Sequence, residues 1–269
     1  MDVRYIDAHC HLQFDTYDAD RDVVAEQMRE QGVAGITIGC DFDSSKKAVA
    51  LAEKHEHVFA SVGVHPNHTD EPFDEAALRS LAVHQKVVAI GECGLDYFRP
   101  TIVDDAEKAR QKELFKKQVE IAAELDKSLV IHGRPSKGTQ DAYHDVFAVL
   151  KEAKEKYPKL RGDMHFFVGG VAEAEMFIGL DFTLSFTAVI TFARDYDAVI
   201  KTVPLTSILA ETDAPYVAPV SRRGERNDPL AVIDVVAKIA EIRAEDPETV
   251  RLALLANTRR MFGLTVANA

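Results

Sequence analysis

Eight apolar runs alternate with amphipathic stretches along this 269-residue chain, and few folds accept that pattern. The runs fall at residues 4–8, 35–39, 58–64, 87–90, 128–131, 161–166, 181–185 and 207–210. Helix-like stretches lie at 20–31, 44–55, 74–84, 104–125, 139–157, 172–178, 192–202, 229–240 and 247–256. Strands separated by helices pair in parallel, because a helix supplies the long crossover that returns the chain to the same end of the sheet. Eight such units match the (β/α)8 TIM barrel, for which roughly 250 residues is typical. No linker rich in Pro, Gly or Ser and no low-complexity block breaks the series. The expectation is an α/β protein, a single TIM-barrel domain over residues 1–269.

In a closed parallel barrel the functional groups gather at the carboxyl ends of the strands. His9 and His11 sit at the end of the first run, His65 the third, Glu92 the fourth, His132 the fifth, His165 the sixth and Asp213 the eighth. Side chains alternate along a strand, so His9 and His11 share a face while Cys10 takes the other. Glu92 has two oxygens and can bridge a pair of divalent ions about 3.5 to 4 Å apart. In this reading His9, His11 and Asp213 complete one site, and His132 and His165 complete the other. The expected cofactors are two divalent ions, with Zn, Mn, Mg, Fe, Co and Ni as candidates. An imidazole-rich set suits the transition metals better than an all-oxygen Mg or Ca cage. A water shared by such ions loses its proton near neutral pH, and Asp213 is placed to orient it and move that proton.

His65, in Gly63-Val64-His65-Pro66, is expected at the mouth as a substrate contact, with structural hydrogen bonding as the alternative. Arg134 is expected to clamp a phosphate oxygen with its planar guanidinium, unless a neighbouring loop holds it in a salt bridge. Arg222, Arg223 and Arg226 follow Asp213 in a loop over the site and either steer an anion inward or are simply solvated. His55-Glu56-His57 repeats the His-x-His spacing but precedes a strand, which places it in solvent at the opposite end of a barrel. His84 shares that placement, His144 falls in a helix, and His68 is unassigned. Cys10 and Cys93 adjoin ligands, yet alternation turns both toward the helices.

The formal net charge is −12, from 32 Lys and Arg against 44 Asp and Glu. That balance argues against coating nucleic acid through a broad basic surface and leaves room for a local phosphate site. Divalent ions make a positive pocket inside an acidic body. Three cysteines, at positions 10, 40 and 93, offer neither a disulfide framework nor a C-x-x-C zinc site. The start, Met1-Asp2-Val3-Arg4-Tyr5, lacks signal-peptide character, and no run approaches the roughly 18 apolar residues of a membrane span. A cytoplasmic protein with no membrane association and no obligate protein partner is expected.

Four segments resemble signatures of the TatD family of metal-dependent hydrolases, in the amidohydrolase-like barrel superfamily. They are Asp7-Ala8-His9-Cys10-His11-Leu12, Gly63-Val64-His65-Pro66, Gly91-Glu92-Cys93-Gly94-Leu95-Asp96-Tyr97 and Glu211-Thr212-Asp213-Ala214-Pro215-Tyr216. Arg226-Asn227-Asp228-Pro229 and Asn257-Thr258-Arg259-Arg260-Met261-Phe262 resemble its closing segments, so the likeness covers nearly the whole chain. It implies metal-dependent deoxyribonuclease activity with His9, His11, Glu92, His132, His165 and Asp213 as ligands. Two stretches depart from the family pattern: His132-Gly133-Arg134-Pro135-Ser136, where a serine or cysteine and then Arg-Asp-Ala often follow the histidine, and His165-Phe166-Phe167-Val168-Gly169, where His-Cys-Phe-Thr-Gly is common. Both changes spare the ligands and alter the pocket. The leading expectation is a two-metal phosphodiesterase acting on DNA, removing nucleotides from ends and preferring single strands. The alternatives are an ester or amide hydrolase on the same barrel, for example on an aminoacylated RNA, and a non-catalytic metal-binding protein.

Overall fold

The computed structural model describes residues 2–68, 72–99 and 104–264. Eight parallel strands pair in chain order: β1 (Tyr5–Cys10), β2 (Val33–Ile38), β3 (Val58–Val62), β4 (Val87–Asp96), β5 (Ser128–Arg134), β6 (Gly162–Met164), β7 (Thr183–Phe186) and β8 (Ile208–Ala210). Between and after them run α1 (Arg21–Glu30), α2 (Phe42–Lys54), α3 (Glu75–Ala82), α4 (Asp105–Glu124), α5 (Asp141–Lys156), α6 (Val171–Ile178), α7 (Asp197–Thr202), α8 (Val232–Arg243) and α9 (Pro247–Phe262). Asp41, Asp74, Asp104 and Asp246 each stand before a helix and accept the backbone N–H three residues on, a cap worth about 1 kcal/mol. The result is the expected TIM barrel.

Closure of the sheet happens where the chemistry is. Past β8, Asp213 donates its N–H to the His9 carbonyl at 2.9 Å, and His11 donates to the Ala214 carbonyl at 2.7 Å. Asp7, fully buried, braces this seam by accepting from the Thr212 N–H at 2.9 Å and the Thr212 hydroxyl at 2.6 Å. The core has two layers because both faces of every strand are buried, which is why the runs read as continuously apolar. Val33, Val58, Ile90, Leu129 and Ile131 pack outward among the helices, whereas Ile6, Ala8, Ala34, Ile36, Ile38, Ala89, Val130 and Leu209 pack with Met261 and Phe262 of α9. The helix expected at 247–256 continues to Phe262, and this last part closes the barrel floor: Asn257 donates to the carbonyls of Leu205 and Ile208 at 2.7 and 3.0 Å.

Three other expectations change. β4 and β5 run on to Asp96 and Arg134, past the expected 90 and 131, with a register shift between Ile90 and Cys93 that keeps β4 paired. The helix expected at 192–202 forms only as the short α7, preceded by a 3-10 turn over Ala188–Thr191 in which the Thr187 side chain accepts the Val189 N–H. His57 lies at the opposite end of the barrel but is buried, not solvated, with Nε2 2.9 Å from the Ala25 carbonyl. No helix among the described residues is long and apolar enough to cross a membrane.

Candidate metal centre

Six strand-end residues converge on one carboxylate. Glu92 Oε2 lies 3.8 Å from His9 Nε2 and 4.0 Å from His11 Nε2, and Asp213 Oδ1 lies 3.8 and 3.4 Å from the same two nitrogens. The nitrogens themselves are 3.2 Å apart. Bonds of about 2.1 Å to a tetrahedral ion put neighbouring ligand atoms about 3.4 Å apart, so this spacing fits one cation among four donors. The other oxygen of Glu92 faces a second set. Oε1 is 2.8 Å from His132 Nδ1, 3.7 Å from His165 Nε2 and 3.6 Å from His65 Nε2. Asp213 reaches the site from a left-handed backbone, φ 51°, which Asp adopts more readily than most residues.

The far nitrogen of each ring decides which atom offers its lone pair. His11 Nδ1 is 2.8 Å from the Ile38 carbonyl and His165 Nδ1 is 3.0 Å from Glu211 Oε2, so both rings keep a proton there and Nε2 is the nitrogen that each can offer inward by losing the other proton. His132 is the mirror case: it lies between two carboxylates, with Nε2 3.2 Å from Asp96 Oδ2 and Nδ1 2.8 Å from Glu92 Oε1, so Asp96 holds the far proton and Nδ1 is the nitrogen to offer inward. Once His11, His132 and His165 shed the inward proton, their lone pairs face the carboxylate lone pairs at 2.8 to 4.0 Å, whereas His9, whose Nδ1 has no hydrogen-bond partner, is free to take either tautomer. Protons on the raised imidazoles supply positive charge between the donors before an ion binds, and these residue types fit a divalent metal in their place. His65 is different: its Nδ1 accepts the Asn67 N–H at 3.1 Å, which leaves the proton on the inward Nε2.

Electrostatics follow the same division. Burial opposes charge on His165, yet the Glu211 carboxylate overrides it and lifts the imidazole to about 9. His11 and His132 are also raised despite burial, by Asp213 and by Asp96 with Glu92 respectively. Burial would raise Glu92, but the imidazoles of His65, His132 and His165 hold it well below the usual carboxylate range. His9 is driven well down by burial and by the His165 ring stacked on it at 3.5 Å, and burial takes His65 to about 3.

A cavity of about 800 Å³ opens above Glu92, in the range of pockets that enclose small ligands. Arg134 lines it with the guanidinium 4.4 Å above the Phe98 ring, and it forms no ion pair among the described residues. Arg99 and His68 line it too. Arg222 and Arg226 do not: Arg222 pairs with Asp228 at 2.6 Å and Arg226 with Asp20 at 2.6 Å, while Arg223 lies 3.8 Å from the Phe192 ring centre. Cys10 and Cys93 turn away as expected, toward the carbonyls of Ile36 and Val130. Cys40, unassigned from sequence, lines the cavity with Sγ 3.6 Å from Glu92 Oε2.

Two carboxylates that hold candidate ligand histidines escaped the sequence reading. Glu211 accepts from His165 Nδ1, from the Ser185 hydroxyl at 2.9 Å and from the Phe166 N–H at 2.7 Å. Asp96 accepts from His132, from Asn67 Nδ2 at 2.8 Å and from the N–H groups of Phe98 and Arg99 at 2.9 Å each. Both stand inside motifs already singled out. A histidine ligand needs a partner for its second nitrogen, and that need is the signal that points to them.

A parallel (β/α)8 barrel with a buried histidine and carboxylate cluster at its strand ends has the architecture of a metal-dependent hydrolase. The family model described as TatD related DNase matches residues 6–263, and the chain belongs to this family. It is 35% identical over 263 residues to the uncharacterized metal-dependent hydrolase YabD of Bacillus subtilis, covering 95% of this chain and 98% of that one. It is 33% identical over 264 residues to the uncharacterized metal-dependent hydrolase YcfH of Escherichia coli, with 96% and 95% covered. The crystal structure of YjjV, a TatD homolog from Escherichia coli, superposes with a TM-score of 0.87 at 29% identity, covering 98% of this chain and 100% of that one.

Proposed function

We propose that this hydrolase is a deoxyribonuclease that removes nucleotides from single-stranded DNA ends with two divalent cations bound. The observation that carries the reading is the division of Glu92, one oxygen toward His9, His11 and Asp213 and the other toward His132 and His165. Zn, Mn, Fe, Co and Ni suit these donors better than Mg. When bound, such cations supply Lewis acidity and lower the pKa of a coordinated water.

The chain's own groups do the rest. Asp213, whose side chain is 14% exposed against 6% for Glu92, faces the cavity and is the carboxylate that receives and passes on the proton of the attacking water. His65, uncharged and carrying its proton on Nε2, donates to a substrate oxygen; acting as a ligand would require it to give up the Asn67 bond. Arg134 and Arg99 hold the phosphate oxygens. A cavity of about 800 Å³ admits a chain end far more readily than a continuous duplex.

The test is elemental analysis of protein purified without added metal, followed by assays on a short single-stranded DNA, the matching duplex and an aminoacyl ester. Up to two ions per chain and fastest loss of the single strand are expected. Fast ester cleavage without DNA degradation, indifferent to Arg134→Ala, would move the assignment to an ester hydrolase.

A further inference from the structure

The cavity over Glu92 is lined by two unlike sets of side chains. On the His132 side stand cations: Arg134 lies two residues beyond His132, and Arg99 Nε is 3.8 Å from the Asp96 oxygen that accepts from His132. Rings stand beside His165 and His11. The Phe166 ring lies edge-on to His165 at 5.9 Å between centres, and the Tyr216 ring lies 6.4 Å from His11. His11 and His165 flank His9 at 4.9 and 3.5 Å, so one row of imidazoles carries both aromatics.

Both aromatics line the cavity from fixed backbone, Phe166 half-buried and Tyr216 exposed. Phe166 is held at φ 45°, a left-handed conformation uncommon for a bulky residue, and its N–H is tied to Glu211. Tyr216 donates its N–H to the Asp213 carbonyl at 2.9 Å and accepts from Asn227 at 2.8 Å, yet its side chain is 53% exposed. Val168, 44% exposed, extends the same apolar lip. Apolar surface gathered at a pocket rim marks a place where something binds. A nucleotide has the matching polarity, with an anionic phosphate at one end and a flat apolar base at the other.

We propose that Phe166 and Tyr216 form a stacking seat for the terminal nucleobase, while Arg99 and Arg134 take the phosphate side. This rests on the nuclease reading. The seat makes the enzyme depend on the presence of a base at the cleaved end, with little regard to which base, because every base offers a π face. The test uses Mn-loaded protein and two oligonucleotides that differ only at the end being removed, one carrying thymine and one an abasic tetrahydrofuran residue. The ratio of kcat/KM between them should be roughly 5- to 150-fold in the wild type, the range that base stacking supplies. It should fall toward unity in Phe166→Leu and in Tyr216→Ala and persist in Phe166→Tyr. Tyr216→Ala alters an exposed side chain and decides the matter if Phe166→Leu fails to fold. Cleavage of both ends at equal rate by the wild type overturns the seat alone, as does a ratio unchanged in both variants. No cleavage of either end overturns the nuclease reading and the seat with it.

Discussion

Replacing Glu211 by glutamine tests whether the second donor set is held in place from behind. The carboxylate takes three hydrogen bonds, from His165 Nδ1 at 3.0 Å, the Ser185 hydroxyl at 2.9 Å and the Phe166 N–H at 2.7 Å. An amide has one accepting oxygen and one donating NH2. If the oxygen meets His165, the NH2 faces the Phe166 N–H, donor against donor. If the amide flips, the NH2 faces His165 Nδ1, and the imidazole proton must move to Nε2, where it blocks the lone pair aimed at Glu92. Either state forfeits a charge-assisted bond of about 1.5 to 3 kcal/mol. Partners behind a metal-binding histidine contribute about 10- to 100-fold in affinity, or about 1.4 to 2.7 kcal/mol, so the two routes agree in size. Titration against a competing chelator should show the weaker of the bound ions lost by that factor in Glu211→Gln. An affinity within threefold of wild type would mean that His165 does not depend on Glu211, and the lone-pair argument would fail with it.

Glu92→Ala should lower the stoichiometry of both ions, because its oxygens serve both donor sets, whereas His55→Ala at the opposite end of the barrel should lower neither by elemental analysis. Arg134→Ala and His65→Ala should each reduce kcat/KM on a phosphodiester by about 1 to 3 kcal/mol while metal content stays unchanged. Burial holds the folded His57 below its ordinary value of about 6.5, so the unfolded chain binds the proton more readily. Stability should therefore fall as pH drops below about 6.5, and urea melts of His57→Gln should show a shallower loss over that window; parallel curves would count against the burial. A chelator should stop turnover yet leave the far-UV circular dichroism in place, since the apolar layers and not the ions hold the barrel.

Strand alternation carried the sequence reading of the site, because His9 and His11 keep one parity and each ligand ends an apolar run. Strand length was less visible. Gly91 and Gly94 punctuate the fourth run like breakers, yet β4 passes straight through them. Their φ values of 149° and 132° belong to glycine, and a Cβ would collide with the Val130 carbonyl oxygen at Gly91 and with the His132 carbonyl oxygen at Gly94. Glycine there lets β4 lie against β5 so that Glu92 meets His132. The holding carboxylates were hidden for a different reason. Glu211 and Asp213 are two residues apart, and spacing alone does not say which one meets a metal and which one meets a histidine. Hydrogen-bond direction does, and that exists only in three dimensions. The loop arginines 222 and 226 were ambiguous until their partners Asp228 and Asp20, one local and one some 200 residues away, were in place.

An anionic substrate in a protein of net charge −12 needs a local reversal of sign. The site's own side chains do not provide it. Glu92 and Asp213 meet the cavity, Asp96 and Glu211 stand behind, and only Arg99 and Arg134 among the described cavity residues carry a fixed positive charge. Four carboxylates face two guanidiniums and the imidazoles of His11, His132 and His165, whose raised pKa values favour protons before ions bind and offset only part of the negative charge. Two divalent cations would turn that balance positive. The metals of the proposed nuclease would therefore serve binding as well as chemistry, and protein stripped of metal should hold a DNA end more weakly than loaded protein; equal affinity in both would refute the charge argument.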